Sequence, residues 1–380
     1  MVDATTPHRS HLRILGTRGI PAQHGGFETF AEYLASYMAQ HGWQVTVYCQ
    51  EEGAGPLRED SWQGIRRVII PVTQAGAKGT VIFDWKAMRH AIKERGAILT
   101  LGYNTAIFSI PYRVKRIPHL MNMDGIEWKR AKWSPMERLW LYLNEWAGCY
   151  LANHLIADHP EIEKHLTARV SRKKITMIPY GSEALHENPP PPYKGLPIES
   201  GKYALVIARP EPENSILEIV KAFAKKKRGY RLLVLGHYQD QIPYHAEIKS
   251  AASDEVLFPG AIYDRSAVQA LRYHCAVYIH GHTVGGTNPS LVESMGTGKL
   301  ILAHDNPFNR WVAGPGASYF TTADHLEAFF SDFRVSYADP GHVNHEIASR
   351  HKSLFLWDTI LRAYHRSLIA LADKSLGGIR

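Results

Sequence analysis

The chain has 380 residues, of which 45% are hydrophobic and 21% are charged. This balance is typical of a soluble globular protein and excludes a disordered or fibrous one. No run reaches the roughly 18–20 apolar residues of a membrane-spanning helix, and the first residues lack the apolar core of a secretory signal, so we expect a cytoplasmic protein. The net charge of +8 predicts an anionic partner: nucleic acid, a phosphorylated substrate or an acidic membrane surface.

Cysteine and histidine give no sign of a metal site. The three cysteines, Cys49, Cys149 and Cys275, are far apart in the sequence, and the 21 histidines form no HExxH motif. We therefore expect reduced thiols that pack as small hydrophobic side chains, and neither a metal nor a cofactor. The basic run at residues 225–228 closes a predicted helix and is interpreted as its solvated end.

In the first half of the chain, short apolar or β-branched runs alternate with segments of helical period. Two of the helical segments are Phe27–His41 and Phe83–Arg95. The predicted strands are Leu12–Leu15, Gln44–Cys49, Arg67–Val72, Ala97–Leu101, His119–Met123, His154–Ala157 and Ile175–Ile178. This alternation predicts a parallel, doubly wound α/β sheet.

Four consecutive prolines between Asn188 and Gly195 interrupt the pattern and predict a stiff linker, because proline continues neither a helix nor a central strand. Beyond it the predicted strands are Tyr203–Ile207, Arg231–Leu235, Val256–Phe258, Val277–His280 and Leu300–Ala303. We therefore expect one Rossmann-like domain over residues 1–190 and a second over residues 196–353. Ligands of such sheets bind at the carboxyl ends of the strands, so two facing sheets would hold a substrate in the cleft between them.

The first predicted strand runs into a glycine-rich loop between Gly16 and Glu28, GTRGIPAQHGGFE. Its spacing differs from GxGxxG, so a dinucleotide fingerprint is poorly supported. A glycine-rich loop at the start of a helix nevertheless allows the backbone to approach a phosphate or a sugar.

Acidic side chains follow the predicted strand that starts at His119. Asp124 and Glu127 stand beside a glycine at its carboxyl end, where α/β enzymes place catalytic or substrate-orienting carboxylates. These two residues are our catalytic candidates in the first domain, and a structural role for the loop is the alternative.

The segment from Ser134 to Glu137 has the form of a capping box with proline at the first helical position. The helix that it opens, RLWLYLNEWAGCYLAN, is apolar nearly all round, which is typical of a buried core helix. The alternative is contact with lipid or with a lipid-linked acceptor, aided by Lys129, Arg130 and Lys132.

Two segments of the second domain point to a diphosphate. Arg209 comes just after the first strand of this domain, where its guanidinium would donate hydrogen bonds to two phosphate oxygens. The alternative is a surface ion pair with Glu211 or Glu213. In HGHTVGGTNPSLVE, Asn288 and the following proline predict a helix start whose free N–H groups suit a phosphate. Glu293, one turn further, stands where a carboxylate would hold a ribose, although an ordinary capped helix explains the same pattern.

These motifs together resemble the family-4 glycosyltransferases of GT-B architecture, over essentially the whole chain. Six segments in the right order carry the resemblance: LGTRGIPAQHGGFETF, NMDGIEWKRAKWS, MIPYGSE, ARPEPEN, GHTVGGTNPSLVESMGTG and AHDNPFNRWV. The chain is most similar to the bacterial rhamnosyltransferase-type enzymes of polysaccharide assembly. The resemblance implies two Rossmann-like domains that face each other across a cleft, with a terminal helix at about 354–380, carrying Trp357 and Tyr364, that packs back on the first domain.

The resemblance also implies a role for each motif. Arg209 would bind the donor diphosphate, Glu293 the ribose, and Asp124 would hydrogen-bond near the reacting sugar or acceptor hydroxyl, with Glu127 beside it. The expected donor-binding residues are Gly25, Gly26, Arg209, Asn214, Phe258, Ile262, Gly286, Thr287, Asn288, Ser290, Leu291 and Glu293. The expected acceptor-binding residues are Arg18, Glu28, Asn122, Trp128 and Arg130.

Two positions depart from the family pattern. The first of the family's paired glutamates falls at Gly285, so a carboxylate facing the transferred sugar is missing. The lysine that often accompanies the donor-binding arginine falls at Asn214, which leaves Arg209 and the helix start to stabilise more of the negative charge.

The implied reaction is retaining, metal-independent transfer of a sugar, L-rhamnose from dTDP-L-rhamnose as our first expectation. The implied acceptor is a glycan on a polyprenyl diphosphate at the inner face of a bacterial membrane, with peripheral contact to anionic lipid. A UDP- or GDP-sugar donor and a nucleotide-sugar epimerase or phosphorylase are alternatives. A nucleic-acid-binding module is disfavoured, because basic and aromatic residues interleave only around Trp128–Trp133.

Overall fold

The computed structural model describes residues 11–23, 25–184, 189–190, 195–333 and 343–377, with side chains up to residue 373. The chain divides into two compact units. The first comprises Met1–Pro179 and Trp357–Arg380, and the second comprises Tyr180–Leu356. The proline run that predicts a linker lies largely outside the described residues.

The first unit is built on a sheet in the order β3-β4-β2-β1-β5-β6-β7-β8, as far as the structure describes it. Its strands are β1 (His11–Leu15), β2 (Gln44–Glu52), β3 (Arg58–Trp62), β4 (Ile65–Val72), β5 (Ala97–Leu101), β6 (His119–Asn122), β7 (His154–Ala157) and β8 (Ile175–Met177). Its helices are α1 (Gly26–Gln40), α2 (Gly76–Ala91), α3 (Ile110–Val114), α4 (Pro135–Leu151), α5 (Pro160–Thr167) and α13 (Trp357–Gly377). Neighbouring strands are parallel except β3 and β4, which confirms the predicted doubly wound sheet.

Two elements of this unit differ from the sequence prediction. Strand β3, REDSW, was not predicted because it has no apolar alternation; its edge position is stabilised by ion pairs such as Arg66–Glu59 and Arg67–Asp60, both with an N–O distance of 2.6 Å. Helix α2 begins at Gly76, seven residues before its predicted start, because its first turns contain two glycines that helical periodicity does not reveal.

Helix α13 completes the first unit, as the resemblance implies. The ring of Trp357 stacks on Tyr33 of α1 with centroids 4.7 Å apart, and the ring of Tyr364 lies 4.6 Å from that of Phe30. The side chain of Asn122, the last residue of β6, donates to the Tyr364 hydroxyl at 2.7 Å. The end of β6 is therefore tied directly to the terminal helix.

Helix α4 does not behave as the buried core helix that its composition favours. Its capping box forms as predicted, between Ser134 and Glu137. One face is buried, but Met136 is 84% exposed, and Leu139 and Leu143 are each more than half exposed. The prediction that α4 is a buried core helix is therefore wrong for its outer face, because only one side of the helix packs against the rest of the unit. None of the described helices is long and apolar enough to cross a membrane.

The second unit contains a sheet in the order β11-β10-β9-β12-β13-β14, in which all the described pairs are parallel. Its strands are β9 (Tyr203–Ile207), β10 (Arg231–Leu235), β11 (Val256–Gly260), β12 (Val277–His280), β13 (Leu300–His304) and β14 (Ser318–Phe320). Its helices are α6 (Ile216–Ala224), α7 (Pro243–Ser250), α8 (Arg265–His274), α9 (Pro289–Met295), α10 (Pro307–Ala313), α11 (Ala323–Asp332) and α12 (His345–Leu354). The central strands are buried on both faces, as expected of a parallel sheet with helices on each side.

Candidate active site

The loop that follows β9 presents Arg209. Its side chain is exposed and makes no ion pair within the part of the chain that the structure describes, whereas its carbonyl accepts a hydrogen bond from the Asn214 side chain at 2.8 Å. Asn214 is only 4% exposed, so its amide is committed to fixing the loop. The Asn214 amide therefore binds the backbone of Arg209, and the Arg209 guanidinium is exposed just beyond the end of the strand.

The loop from β12 to α9 adopts the predicted capped start. The Asn288 side chain accepts from the backbone N–H of Ser290 at 3.0 Å, and proline occupies the first helical position. Helix α9 has only seven residues, so its dipole is short and stabilises less charge than a long helix would. The side chain of Leu291 is wholly in the core, which leaves only its backbone to face a ligand.

Gly285 has a φ of +133°, a backbone conformation that side-chain-bearing residues rarely adopt. An added Cβ would meet no atom within 4 Å, so the constraint comes from the backbone and not from crowding. The family's glutamate would be strained at this position, and the loop has a shape that glycine alone adopts readily.

Glu293 is held by a residue that the sequence analysis did not single out. The Arg272 guanidinium, on α8, lies 2.6 Å from Glu293 Oε2 and also donates to the Ser290 hydroxyl at 3.3 Å. The Arg272 side chain is 7% exposed and that of Glu293 is 31% exposed, so the pair lies at a boundary between core and solvent. Ser290 is shared further with Tyr278, whose hydroxyl lies 2.8 Å away. The arrangement fixes one carboxylate oxygen of Glu293 and leaves the other side partly open.

The remaining donor-side candidates do not form one surface. Phe258 packs in the apolar cluster on one face of the sheet, where its ring lies 5.0 Å from that of Tyr238. Ile262 packs in the cluster on the opposite face. Thr287 is 3% exposed, and Gly286 is half-buried in the loop before it.

Histidines cluster at the carboxyl ends of β12 and β13. The rings of His280 and His282 stack with centroids 4.2 Å apart, and burial holds the pKa of His280 well below its ordinary value. The Asn309 side chain donates to the carbonyls of His282 and His304, each at 2.8 Å. The segment AHDNPFNRWV therefore acts at least in part by holding these two strand ends together.

In the first unit the glycine-rich loop lies against β2 and β5. A Cβ at Gly16 would meet the Leu101 carbonyl oxygen at 2.2 Å, so glycine is required for the close approach. Two carboxylates of α1 hold the loop backbone: Glu28 accepts from the N–H of Gln23 at 2.9 Å and Glu32 from that of Ala22 at 2.6 Å. The predicted acceptor residue Glu28 is thus already engaged with the loop.

At the other predicted glycine pair, Gly25 caps α1 and Gly26 begins it. Gly25 is exposed, and a Cβ there would meet nothing within 4 Å. No crowding explains this glycine, so its open backbone is available to a ligand.

Asp124 lies just beyond the end of β6 in a left-handed backbone conformation, with a φ of +52°. Its N–H donates to the Asn122 side chain at 2.8 Å, an arrangement in which aspartate tolerates this conformation. Burial, followed by the nearby charge of Glu127, raises the pKa of the Asp124 carboxyl above its ordinary value. The backbone N–H of Gly125 donates to this carboxyl group and opposes the rise. A half-buried carboxyl group whose pKa is raised beyond the end of a strand is a candidate for a functional site.

Glu127 is engaged on both oxygens. Arg130 donates to Oε1 at 2.8 Å and the indole of Trp133 to Oε2 at 3.3 Å, while the backbone N–H of Glu127 donates to the Tyr103 hydroxyl at 2.8 Å. The side chain is buried. These contacts give Glu127 a positioning role and also take up one donor of Arg130.

Trp128 also lies within this loop but is directed elsewhere. Its indole N–H donates to Glu145 at 3.0 Å, and Glu145 in turn pairs with Arg169 at 2.5 Å. The Lys129 ammonium lies 5.4 Å from the centroid of the Trp128 ring. Trp128 therefore joins the loop to α4 and α5, with Asp124 on another part of the same loop.

Two cavities open at the carboxyl ends of the first sheet. The larger, of about 630 Å³, brings together the predicted residues Arg18 and Glu28. The smaller, of about 130 Å³, is lined by Gly16, Arg18 and Asp84 among others. Asp84 was missed, because an aspartate in the middle of a helix carries no motif that marks it. Within the described residues no group of three or more His, Cys, Asp or Glu side chains is arranged to hold a metal ion.

Burial raises the pKa of the Asp84 carboxyl to about 7, against the opposing effect of a 2.8 Å hydrogen bond from the Thr105 hydroxyl. A carboxyl group whose pKa is raised by folding stabilises the protein fully at low pH, and this contribution is lost as the pH rises towards 7. Because asparagine does not ionise, we expect Asp84→Asn to lose about 1–3 kcal/mol less of its free energy of unfolding than the wild type between about pH 4 and pH 7, allowing for partial exposure.

The measurement is denaturant unfolding followed by tryptophan fluorescence, which reports on the first unit because eight of the nine tryptophans lie in it. Asp358→Asn, an exposed carboxylate of the same unit, is the matched control and should follow the wild type. Parallel stability profiles for the wild type and Asp84→Asn would contradict the assignment.

Two family models match the chain, each over less than half of its length. Residues 9–183 match the family described as a domain of unknown function (DUF1972), and residues 194–329 match the family described as glycosyl transferases group 1. No curated protein matches the sequence significantly.

Solved structures share the fold over nearly the whole chain. Sucrose-phosphate synthase from Thermosynechococcus elongatus is 18% identical, with a TM-score of 0.72 over 95% of this chain and 100% of its own. HepE from Anabaena, in complex with UDP and glucose, is 15% identical, with a TM-score of 0.70 over 95% and 100%. α,α-Trehalose 6-phosphate synthase from Burkholderia multivorans is 10% identical, with a TM-score of 0.70 over 98% and 99%. The chain therefore has the GT-B fold and is a glycosyltransferase, in which residues 194–329 form the group 1 domain.

Proposed function

We propose that the protein transfers a sugar from a nucleotide diphosphate with retention of configuration and without a metal ion. The observation that carries the proposal is Arg209, at the carboxyl end of a central strand: its guanidinium is exposed and forms no ion pair with any described residue, and Asn214 fixes its backbone. A preorganised cation of this kind stabilises the charge that develops on a departing diphosphate. The N–H groups around Thr287–Leu291 assist it, although the short helix α9 supplies only part of the stabilisation.

In the proposed reaction the bond between the sugar carbon and the diphosphate oxygen breaks, and a bond from that carbon to the acceptor oxygen forms on the same face. The departing diphosphate takes the proton of the acceptor hydroxyl. Arg209 compensates the leaving charge, and Glu293, held by Arg272, accepts hydrogen bonds from the nucleotide ribose. The stretch Phe258–Ile262 would border the base, as the family resemblance implies.

The first unit would supply the acceptor side. Asp124 is the group that we assign to the acceptor hydroxyl or the transferred sugar, because its half-buried carboxyl group lies just beyond the carboxyl end of β6 and its pKa is raised. Glu127 and Asn122 position its loop, and Arg18 lines the larger cavity with Glu28. Gly25 and Gly26 offer an open backbone at the start of α1.

Replacement of Arg209 by alanine tests the central claim. We expect Arg209→Ala to lower kcat by about 10²–10³-fold, the usual cost of removing one preorganised charge-stabilising donor. Arg231→Ala is the matched control, since Arg231 begins the neighbouring strand β10, at the amino end of the sheet and away from Arg209, and should be dispensable. Sugar transfer by a folded Arg209→Ala variant at a near-normal rate would contradict the proposal.

For the donor, we propose dTDP-L-rhamnose, on the resemblance to rhamnosyltransferase-type enzymes and on the missing carboxylate at Gly285. A deoxysugar offers one hydroxyl fewer for such a carboxylate to bind. A UDP-sugar is the second candidate, because HepE is solved with UDP and an Escherichia coli trehalose-6-phosphate protein with UDP-2-fluoro glucose.

A panel of dTDP, UDP and GDP separates these donors. A nucleotide that binds only the folded state raises the unfolding midpoint, and we expect the largest rise with dTDP and its loss in Arg209→Ala. A larger rise with UDP would move the assignment to a UDP-sugar, and the absence of any rise would contradict nucleotide binding.

For the acceptor, we propose a glycan on a polyprenyl diphosphate, reached by peripheral binding to an anionic membrane. Support comes from the outer face of α4, where Met136, Leu139 and Leu143 are exposed. Lys129 and Lys132 lie beside it over the rings of Trp128 and Trp133. Apolar groups flanked by lysines are typical of a surface that inserts shallowly into anionic lipid.

We expect Leu139→Ser with Leu143→Ser to reduce binding to anionic vesicles by about tenfold, because two partly inserted leucines lose their transfer free energy. The control pair is Leu57→Ser with Ile242→Ser, two exposed apolar residues outside α4. Equal co-sedimentation of the two double variants would contradict a role for this helix.

A further inference from the structure

The first unit has a third cavity, at the amino ends of the strands of its sheet, and none of the catalytic, donor-binding or acceptor-binding candidates lines it. It has a volume of about 1020 Å³ and lies where β6, β7 and β8 begin. Ile117 and Pro118 precede β6, Asn153 precedes β7, and Thr176 lies in β8. Helix α13 closes one side with Ser367 and Ala370. Because donor and acceptor features stand at the carboxyl ends of strands, this amino-end cavity needs a separate explanation.

The walls of the cavity are strongly basic. Arg113, Lys115, Arg116 and Arg366 line it, and no carboxylate occurs among the described lining residues. A fifth cation lies close by: burial and the charge of Arg113 lower the pKa of Lys174. Like charges gathered without counter-ions repel one another, so the protein holds them together at a cost that an anionic ligand would relieve.

Arg116 occupies a backbone conformation that normally selects glycine. Its φ is +54°, just past the end of α3, and its N–H donates to the Arg113 carbonyl at 3.2 Å. Helices commonly end with a left-handed residue at this place, and glycine adopts it without strain. An arginine here carries a conformational cost and supplies a guanidinium to the cavity.

The outer side of α3 is apolar. Val114 is 75% exposed and Ile110 is 45% exposed, on the same short helix whose end carries Arg113 and Arg116. A basic recess beside exposed branched side chains matches a molecule with an anionic head and an apolar body.

We propose that this cavity binds a phosphate ester, with the guanidinium groups of Arg113, Arg116 and Arg366 on the phosphate oxygens. Guanidinium groups present paired donors that match phosphate geometry. Two sources carry this chemistry: the headgroup of an anionic phospholipid, whose acyl chains would rest on Ile110 and Val114, and a soluble phosphate ester. This site takes no part in the proposed sugar transfer, so the two proposals are tested independently of each other.

The test uses the full-length protein and calorimetric titration with two probes. One is dihexanoyl phosphatidylglycerol below its micelle concentration, and the other is sn-glycerol 3-phosphate. The cavity variant combines Arg113→Gln, Arg116→Gly and Arg366→Gln. The control combines Lys78→Gln, Arg89→Gln and Arg95→Gln, which removes the same charge from exposed positions of the same unit that do not line the cavity.

We expect the wild type and the control to bind at least one probe, and the cavity variant to bind it about 10–100-fold more weakly, since each cation near an anionic surface contributes about tenfold or less. Loss of phosphatidylglycerol binding alone identifies the lipid, and loss of glycerol phosphate binding identifies the soluble ester. Arg116→Gly by itself should weaken binding while leaving stability equal or higher, because glycine suits the backbone there. Failure of the wild type to bind either probe, or equal binding by the cavity variant and the control, overturns the proposal.

Discussion

The first unit depends most on the two hydrogen bonds of the Asn122 side-chain amide. Its oxygen accepts the N–H of Asp124 at 2.8 Å and its nitrogen donates to the Tyr364 hydroxyl at 2.7 Å. One side chain thereby fixes the left-handed turn that presents Asp124 and anchors the terminal helix. Since Tyr364 also packs on Phe30 of α1, the helix that starts at the glycine-rich loop is tied to the same point. The geometry of the loop that carries Asp124 thus depends on a contact between residues 242 positions apart.

In the second unit, two positions that depart from the family pattern shape the loops around the site candidates. Where a lysine is expected beside Arg209, Asn214 instead holds the backbone beneath it. Where a glutamate is expected at position 285, a glycine adopts a conformation that a glutamate resists. At both positions an uncharged residue stands where the family pattern has a charged one, and each residue acts on the backbone of its loop.

Much of this organisation follows from the sequence because it depends on local patterns. Buried parallel strands are continuous apolar runs, and the caps at Ser134 and Asn288 have short-range signatures. The residues that were missed act through distant partners. Arg272 meets Glu293 only because α8 and α9 pack on one sheet face, and Asp84 becomes unusual only because folding buries it.

The outer face of α4 shows a third limit of the sequence. An all-apolar helix predicts burial, but periodicity does not say how many neighbours the fold supplies. Here the buried face is set by Leu141, Cys149 and the polar pair Asn144 and Glu145, whereas the larger apolar side chains face outwards. Glu145 is buried because it pairs with His165, on the next helix, and with Arg169, in the turn after that helix.

The return of α13 to the first unit also bears on the order in which the protein forms during synthesis. The second unit is continuous, from Tyr180 to Leu356, and is complete once that stretch has left the ribosome. Most of the first unit is translated earlier, but Trp357 and Tyr364 follow only after the second unit, so until then the aromatic face of α1 and the Asn122 amide lack these partners. Domains generally fold as units as they emerge, which would make the amino-terminal half the last to reach its final packing. The first unit therefore begins and ends its packing on either side of the translation of the whole second unit.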